Sequence, residues 1–127
     1  MSNLTSSLED YLEAIYILNN KGAVSVSGIS EFLGVSMPSV NRAVKTLCDM
    51  GLLEHELYGK IILTESGIQT ASSVLDRHTI IKKFLSETLN VPDEIAERDA
   101  CRMEHVMSQQ TIESLYHFLE RNTFDEK

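Results

Sequence analysis

Apolar residues recur about every three to four positions through most of the chain, which is the spacing of amphipathic helices. The first such segment covers residues 5–20, with capping residues at Thr5-Ser6-Ser7. Its apolar face is formed by Leu8, Tyr11, Leu12, Ile15, Tyr16 and Leu18. A second long helix is predicted over residues 65–89. Two more are predicted, one from Pro92 to about Met107 and one after a cap at Ser108.

Two short helices joined by a tight turn are predicted between the first two long ones. Ser27 is the expected cap of the first, over residues 28–32, and Gly34 ends it. Ser36 is the expected cap of the second, and Gly51 closes it. The predicted buried stripe of this second helix is Val40, Val44, Leu47 and Cys48. The pair is typical of a helix-turn-helix motif, although a purely structural helical hairpin has the same pattern.

A hairpin pattern follows at once. Two short apolar runs, residues 52–57 and 60–64, flank the turn residues Tyr58-Gly59. A helix-turn-helix followed by a small hairpin is the element order of a winged helix. We therefore predict a mainly α fold, with a winged helix-turn-helix and a small β-hairpin wing in residues 1–64 and a helical domain in residues 65–127.

Composition and charge narrow the class of protein. The chain has 127 residues, of which 43% are hydrophobic, enough for a core. It has no run of about 18 apolar residues, no signal peptide and only two cysteines, which favours the cytoplasm. The net charge of −8 argues against a general polyanion binder. Residues 32–48, however, contain no acid and carry Arg42 and Lys45, so this segment is locally positive.

The second short helix is predicted to expose residue types that reach base edges or phosphates. They are Ser36, Met37, Pro38, Ser39, Asn41, Arg42 and Lys45. Lys60, near the hairpin tip, is placed to contact a phosphate, although an ordinary solvated lysine fits equally well. These residues predict binding to double-stranded DNA. A protein-interaction winged helix is the alternative, and the acidic net charge supports it.

A cluster of metal-ligand types lies near the C-terminal end of the chain. On a helix, Cys101, Glu104 and His105 stand at i, i+3 and i+4 and share one face, with Glu97 one turn earlier. A thiol, a carboxylate and an imidazole are ligands that first-row divalent metals accept. The alternative is a solvated polar face with one core cysteine.

Further ligand types occur on two other predicted helices. Asp10 and Glu13 form an i, i+3 acid pair on the first helix, and His78 lies on the apolar stripe of the second long helix. Surface acids and a hydrogen-bonded core histidine are the alternatives. The sequence has no recognisable catalytic motif, so a metalloenzyme is disfavoured and we expect no enzymatic activity.

Four segments in the right order carry a family resemblance. They are residues 9–16, residues 35–40, the pair Arg77-His78, and residues 100–108. Together they resemble the diphtheria toxin repressor and manganese transport regulator family of metal-dependent transcriptional repressors. The resemblance implies a cytoplasmic homodimer that binds operator DNA and represses metal-uptake genes. It also implies that the helical domain binds metal and mediates dimerisation.

The resemblance also implies a ligand set. The residues that match family ligands are Asp10, Glu13, His78, Cys101, Glu104 and His105. Asp10 and Glu13 match the manganese type, whereas Cys101 matches the thiol of the iron type. Lys82, which is not a carboxylate, stands where the iron type has a carboxylate ligand of its second site, and Glu97 is a further ligand candidate. The chain ends after the dimer region, so the third, SH3-like domain is expected to be absent.

These ligand types set the expected cofactor. Fe²⁺ or Mn²⁺ is expected, with Co²⁺, Ni²⁺ and Zn²⁺ also binding in vitro. The alternative function is a metal-independent winged-helix DNA-binding regulator.

Overall fold

The computed structural model describes residues 4–56 and 59–125, with residues 122–125 described by their backbone alone. The chain divides into two compact units, residues 1–73 and 74–127, and the division falls within a helix. No helix among the described residues is long and apolar enough to cross a lipid bilayer.

The first unit contains three helices, α1 (Ser6–Asn19), α2 (Val26–Leu33) and α3 (Met37–Asp49). Thr5 and Ser36 cap α1 and α3 as predicted, each accepting a hydrogen bond from a backbone N–H three residues later. The predicted cap at Ser27 was wrong. Ser25 caps α2 instead, because its backbone is extended and its hydroxyl accepts from the Gly28 N–H at 3.1 Å.

A two-stranded antiparallel hairpin follows, formed by β1 (Leu53–His55) and β2 (Ile61–Leu63). Leu53 faces Leu63 across the pair, and the Ile61 N–H donates to the Val24 carbonyl at 3.1 Å. The predicted wing is therefore confirmed. The predicted turn residue Tyr58 lies outside the described residues.

The core of the first unit comes from all of these elements. On α3, Val40, Val44 and Leu47 are buried as predicted, whereas Cys48 is only partly buried and Ala43 joins the stripe. The other fully buried large side chains of this unit are Leu12, Ile15 and Ile29. Burial of α1, α2 and α3 against one another fixes the exposed face of α3, which is the face that matters for function.

Helix α4 (Glu65–Lys83) begins in the first unit and continues into the second. The Thr64 hydroxyl accepts from the Gly67 N–H at 3.0 Å and donates to the Gly51 carbonyl at 2.7 Å. Gly67 itself is packed so closely that an added Cβ would lie 2.0 Å from the Leu52 carbonyl oxygen. The start of α4 is thereby fixed against the segment that precedes β1.

The second unit contains the rest of α4, a π-helical turn (Phe84–Thr88), α5 (Asp93–Met103) and α6 (Gln109–Asp125). Its core consists of Ile81, Leu85, Ala96, Ala100 and Ile112. Ser108 caps α6 as predicted, since its hydroxyl accepts from the Thr111 N–H at 3.2 Å. Helix α5 ends at Met103, about one turn before the predicted end near Met107.

Candidate metal centre and nucleic-acid interface

Three potential ligands converge in the second unit. His78 comes from α4, whereas Glu97 and Cys101 lie one turn apart on α5. One ligand atom of each lies within 4.8 Å of the other two. The His78 Nε2 is 2.7 Å from Glu97 Oε2, and the Cys101 Sγ is 3.9 Å from the same oxygen. We call His78, Glu97 and Cys101 the metal cluster.

Glu104 lies on the other side of the same imidazole. Its Oε1 is 3.3 Å from His78 Nδ1, and the residue is only 2% exposed. Its second oxygen, Oε2, is buried and has no hydrogen-bond partner in the part of the chain that the structure describes. A buried carboxylate oxygen without a partner is costly, so this atom favours a cation as its neighbour.

The donor set fits a divalent transition metal. Imidazole, carboxylate and thiolate together suit ions such as Fe²⁺, Co²⁺ and Zn²⁺, and carboxylate also suits Mn²⁺. Glu104 beside Nδ1 would orient the His78 ring with Nε2 toward the cluster, as carboxylates do behind metal-bound histidines. The orphaned Glu104 oxygen and the convergence of three ligand types are two separate observations that point to the same kind of ligand.

Lys82 brings a positive charge to this cluster. Its Nζ is 3.1 Å from Glu97 Oε1, the oxygen that does not contact His78. Partial burial raises the pKa of the Glu97 carboxyl, but the hydrogen bond from Lys82 and the charge of His78 outweigh it, so the pKa lies below its ordinary value. An ammonium, rather than a further carboxylate, therefore occupies one side of Glu97.

Arg77 bonds the turn that follows α5. Its guanidinium donates to the Glu104 carbonyl at 3.0 Å, to the Met107 carbonyl, and to Gln109 Oε1 at 3.1 Å. These acceptors include backbone carbonyls that a continuing helix would use itself. The chain instead tightens, with the His105 N–H bonding the Arg102 carbonyl at 3.4 Å. We did not predict this role of Arg77 from the sequence, although its place beside His78 was a signal for it.

Each unit contributes predicted ligands from its own helices and turns. Cys101 is exposed on α5, Glu104 is the buried C-cap of that helix, and His105 follows in the turn, partly buried. Asp10 and Glu13 lie on α1 of the first unit, the former exposed and the latter partly buried. The participation of Asp10, Glu13 and His105 in the metal site stays a prediction.

The exposed face of α3 carries the residues predicted to contact DNA. All of them are exposed except Ser39, which is partly buried. Ser39 Oγ is 2.9 Å from Ser36 Oγ and accepts a hydrogen bond from Arg42 at 3.3 Å. This bond favours an orientation of the Arg42 guanidinium along the helix surface. Lys60, the residue before β2, is exposed.

Comparisons with known proteins agree with this division of roles. Residues 3–61 match the N-terminal DNA-binding domain of iron-dependent repressors. Residues 64–127 match the metal-binding and dimerisation domain of the same repressors. A helix-turn-helix transcriptional regulator of Methanocaldococcus jannaschii is 35% identical over 120 residues, which are 93% of this chain and 96% of that protein. The transcriptional regulator MntR of Escherichia coli O6:H1 is 34% identical over 116 residues, 91% of this chain and 74% of that protein.

Solved structures give the same result. The manganese regulator SloR superposes with a TM-score of 0.79 and 33% identity, covering 89% of this chain and 53% of that one. A manganese-dependent transcriptional repressor in complex with manganese superposes with a TM-score of 0.81 and 26% identity, covering 89% and 52%. The chain thus spans about half the length of these two structures. With both domain models matched in order along it, the chain belongs to the iron-dependent repressor family of metal-dependent transcriptional regulators, which includes the diphtheria toxin repressor and the manganese transport regulator.

Proposed function

We propose that this protein represses metal-uptake genes when Fe²⁺ or Mn²⁺ is plentiful, by binding operator DNA as a homodimer in the cytoplasm. In this proposal residues 1–64 contact DNA, residues 65–127 bind metal and form the dimer, and neither part performs catalysis. The observation that carries the proposal is the convergence of His78, Glu97 and Cys101 in the part of the chain matched by the metal-binding domain.

The ligand assignment rests on two kinds of support. The geometry of the second unit supports His78 and Cys101 directly, and the orphaned oxygen supports Glu104. Agreement with the family pattern supports Asp10, Glu13 and His105, and Glu97 is an additional ligand. The bound ion supplies two positive charges in a protein of net charge −8. A smaller net negative charge favours the encounter with a polyanion.

The DNA assignment follows the exposed face of α3. We assign base and phosphate contacts to Ser36, Met37, Pro38, Ser39, Asn41, Arg42 and Lys45, with Lys60 contacting a phosphate. The hydrogen bond to Ser39 favours one orientation of the Arg42 guanidinium. A guanidinium that is already oriented loses less side-chain entropy on binding than a freely rotating one.

The decisive experiment is anaerobic DNA binding followed by fluorescence anisotropy. The probe is the DNA upstream of the protein's own gene, at fixed salt, with chelated protein compared against protein given Mn²⁺, Fe²⁺ or Zn²⁺. We expect at least about a tenfold gain in affinity with one ion, which is about 1.4 kcal/mol of coupling. Equal affinity with and without metal would favour the alternative, a metal-independent winged-helix regulator.

Matched variants assign the response to particular residues. Cys101→Ala should abolish the metal response, whereas Cys48→Ala, which removes the other thiol, should keep it. Asp10→Asn should weaken the response, whereas Glu9→Gln, one residue earlier on the same helix, should not. A normal metal response in Cys101→Ala would exclude Cys101 as a ligand. A normal response in Asp10→Asn would exclude Asp10 as a ligand.

A further inference from the structure

The two oxygens of Glu97 face different partners. Oε2 contacts His78 Nε2 at 2.7 Å and is the oxygen nearest the Cys101 thiol. Oε1 contacts the Lys82 ammonium at 3.1 Å. Lys82 lies one turn after His78 on α4, so both side chains reach α5 from the same helix face. The carboxylate of the metal cluster is therefore already shared with a cation that belongs to the chain.

A metal ion that enters this cluster is opposed in two ways. It must share Glu97 with Lys82 or displace Lys82, and either course weakens an existing ion pair. It also lies close to a fixed positive charge, and like charges at short range repel. Both effects oppose cation binding, and they act on the same residue that brings His78 and Cys101 together.

We propose that Lys82 acts as a resident counter-charge that lowers the affinity of the metal cluster for divalent cations, and so sets the metal concentration at which the protein responds. The proposal rests on the proposed function, because it requires the cluster to bind metal. It assigns Lys82 a regulatory position in which it tunes the site without being a ligand.

The exposure of the pair makes this inference testable. The Lys82 and Glu97 side chains are 39% and 49% exposed, and pairs that exposed contribute little to folding stability. Removing the ammonium should therefore leave the protein folded. Lys83, the next residue on α4, is exposed and carries the same charge, so it offers a control that changes net charge equally.

The experiment measures metal affinity of the purified full-length protein by competition with a chelator, using Mn²⁺ and Co²⁺. The Co²⁺ absorption spectrum reports thiolate coordination independently of DNA binding. Lys82→Met should bind both ions at least about tenfold more tightly than the unaltered protein, or about 1.4 kcal/mol. Lys83→Met should stay within about threefold, because salt screens an exposed charge. Lys82→Arg keeps the charge and should retain the original affinity.

Each result decides the matter. Tighter binding in Lys82→Met alone supports the proposal, and the midpoint of metal-stimulated DNA binding should then fall by the same factor. Unchanged affinity in Lys82→Met overturns it. Weaker binding also overturns it, since Lys82 would then position Glu97 for the ion. Failure of the proposed function can be told apart from failure of this proposal. In that case the unaltered protein itself would give no Co²⁺ spectrum and no measurable metal affinity.

Discussion

Replacing Glu104 by glutamine should stabilise the metal-free protein. The carboxylate is 2% exposed, one oxygen faces His78 at 3.3 Å, and the other is orphaned. A buried charge whose hydrogen bonds are incomplete costs several kcal/mol, whereas a neutral amide in the same place costs about 1–3 kcal/mol. Glu104→Gln keeps the shape and an acceptor for His78, so we expect its free energy of unfolding to rise by about 1–2 kcal/mol without metal.

Bound metal should reverse this order of stability between the variant and the unaltered protein. At an ion concentration of about 100 times the dissociation constant, binding adds about 2.7 kcal/mol to the stability of the unaltered protein. The variant gains less, because a neutral amide oxygen is a weaker ligand than a carboxylate. The unaltered protein should therefore be the less stable of the two in chelator and the more stable in excess Mn²⁺.

Denaturant titration of both proteins tests this reversal. It is run at about pH 8, above the usual pKa of imidazole, at one fixed protein concentration because dimers unfold in a concentration-dependent way. Glu87→Gln, an exposed acid of the same unit, is the control and should change stability by no more than about 0.5 kcal/mol. If Glu104→Gln is less stable than the unaltered protein in chelator, Glu104 is a structural partner of His78 and the reasoning fails.

Three further predictions concern other contacts. Arg77→Met should lose about 2–3 kcal/mol of stability and weaken Mn²⁺ binding, because the guanidinium bonds to the turn after α5 are lost. Calorimetry measures both quantities, and unchanged values would refute this role of Arg77. Gly67→Ala should lose more than about 3 kcal/mol of stability, measured by thermal unfolding, since its Cβ would lie 2.0 Å from a backbone oxygen. Gly28→Ala, whose closest contact would be 3.3 Å, should lose less stability. The pKa of Glu97 lies below its ordinary value of 4.5, so the pairing of Glu97 stabilises the protein above that pH. This stabilisation, less than about 1 kcal/mol, is lost as the pH falls through the lower pKa of the folded protein. The stability of Glu97→Gln should therefore differ from that of the unaltered protein at pH 7 and converge with it in acid.

The features of the fold that depend on neighbouring residues along the chain were predicted from the sequence. The spacing of apolar residues located the helices and the wing, and it identified the buried face of α3 because Val40, Val44 and Leu47 recur at helical spacing. Residue chemistry identified His78, Glu97 and Cys101 as ligand types before their positions were known. Ser25 and Ser27 are both good caps, so the sequence alone did not distinguish them.

The sequence did not predict what depends on distant contacts. Helix α5 ends at Met103, and Arg77, which is 27 residues before Glu104, competes with backbone N–H groups for the Glu104 carbonyl in the turn that follows. Continued periodicity beyond Met103 gave no sign of that competition. Cys101 is exposed, Glu104 is buried at the end of α5, and His105 lies in the turn, and spacing alone did not reveal these different surroundings. The pairing of Lys82 with Glu97 likewise requires α4 and α5 to be adjacent.

The two acids beside His78 differ in the partners they have before an ion arrives. Glu104 is buried with one oxygen orphaned, so it gains a partner when a cation binds. Glu97 already has Lys82, so it loses part of a partner at the same moment. In the proposed site both carboxylates attract a cation, and Lys82 opposes that attraction only at Glu97. Substitution at position 82 can therefore change the response threshold without altering any ligand, whereas substitution at Glu104 changes both the ligand set and the stability of the metal-free protein.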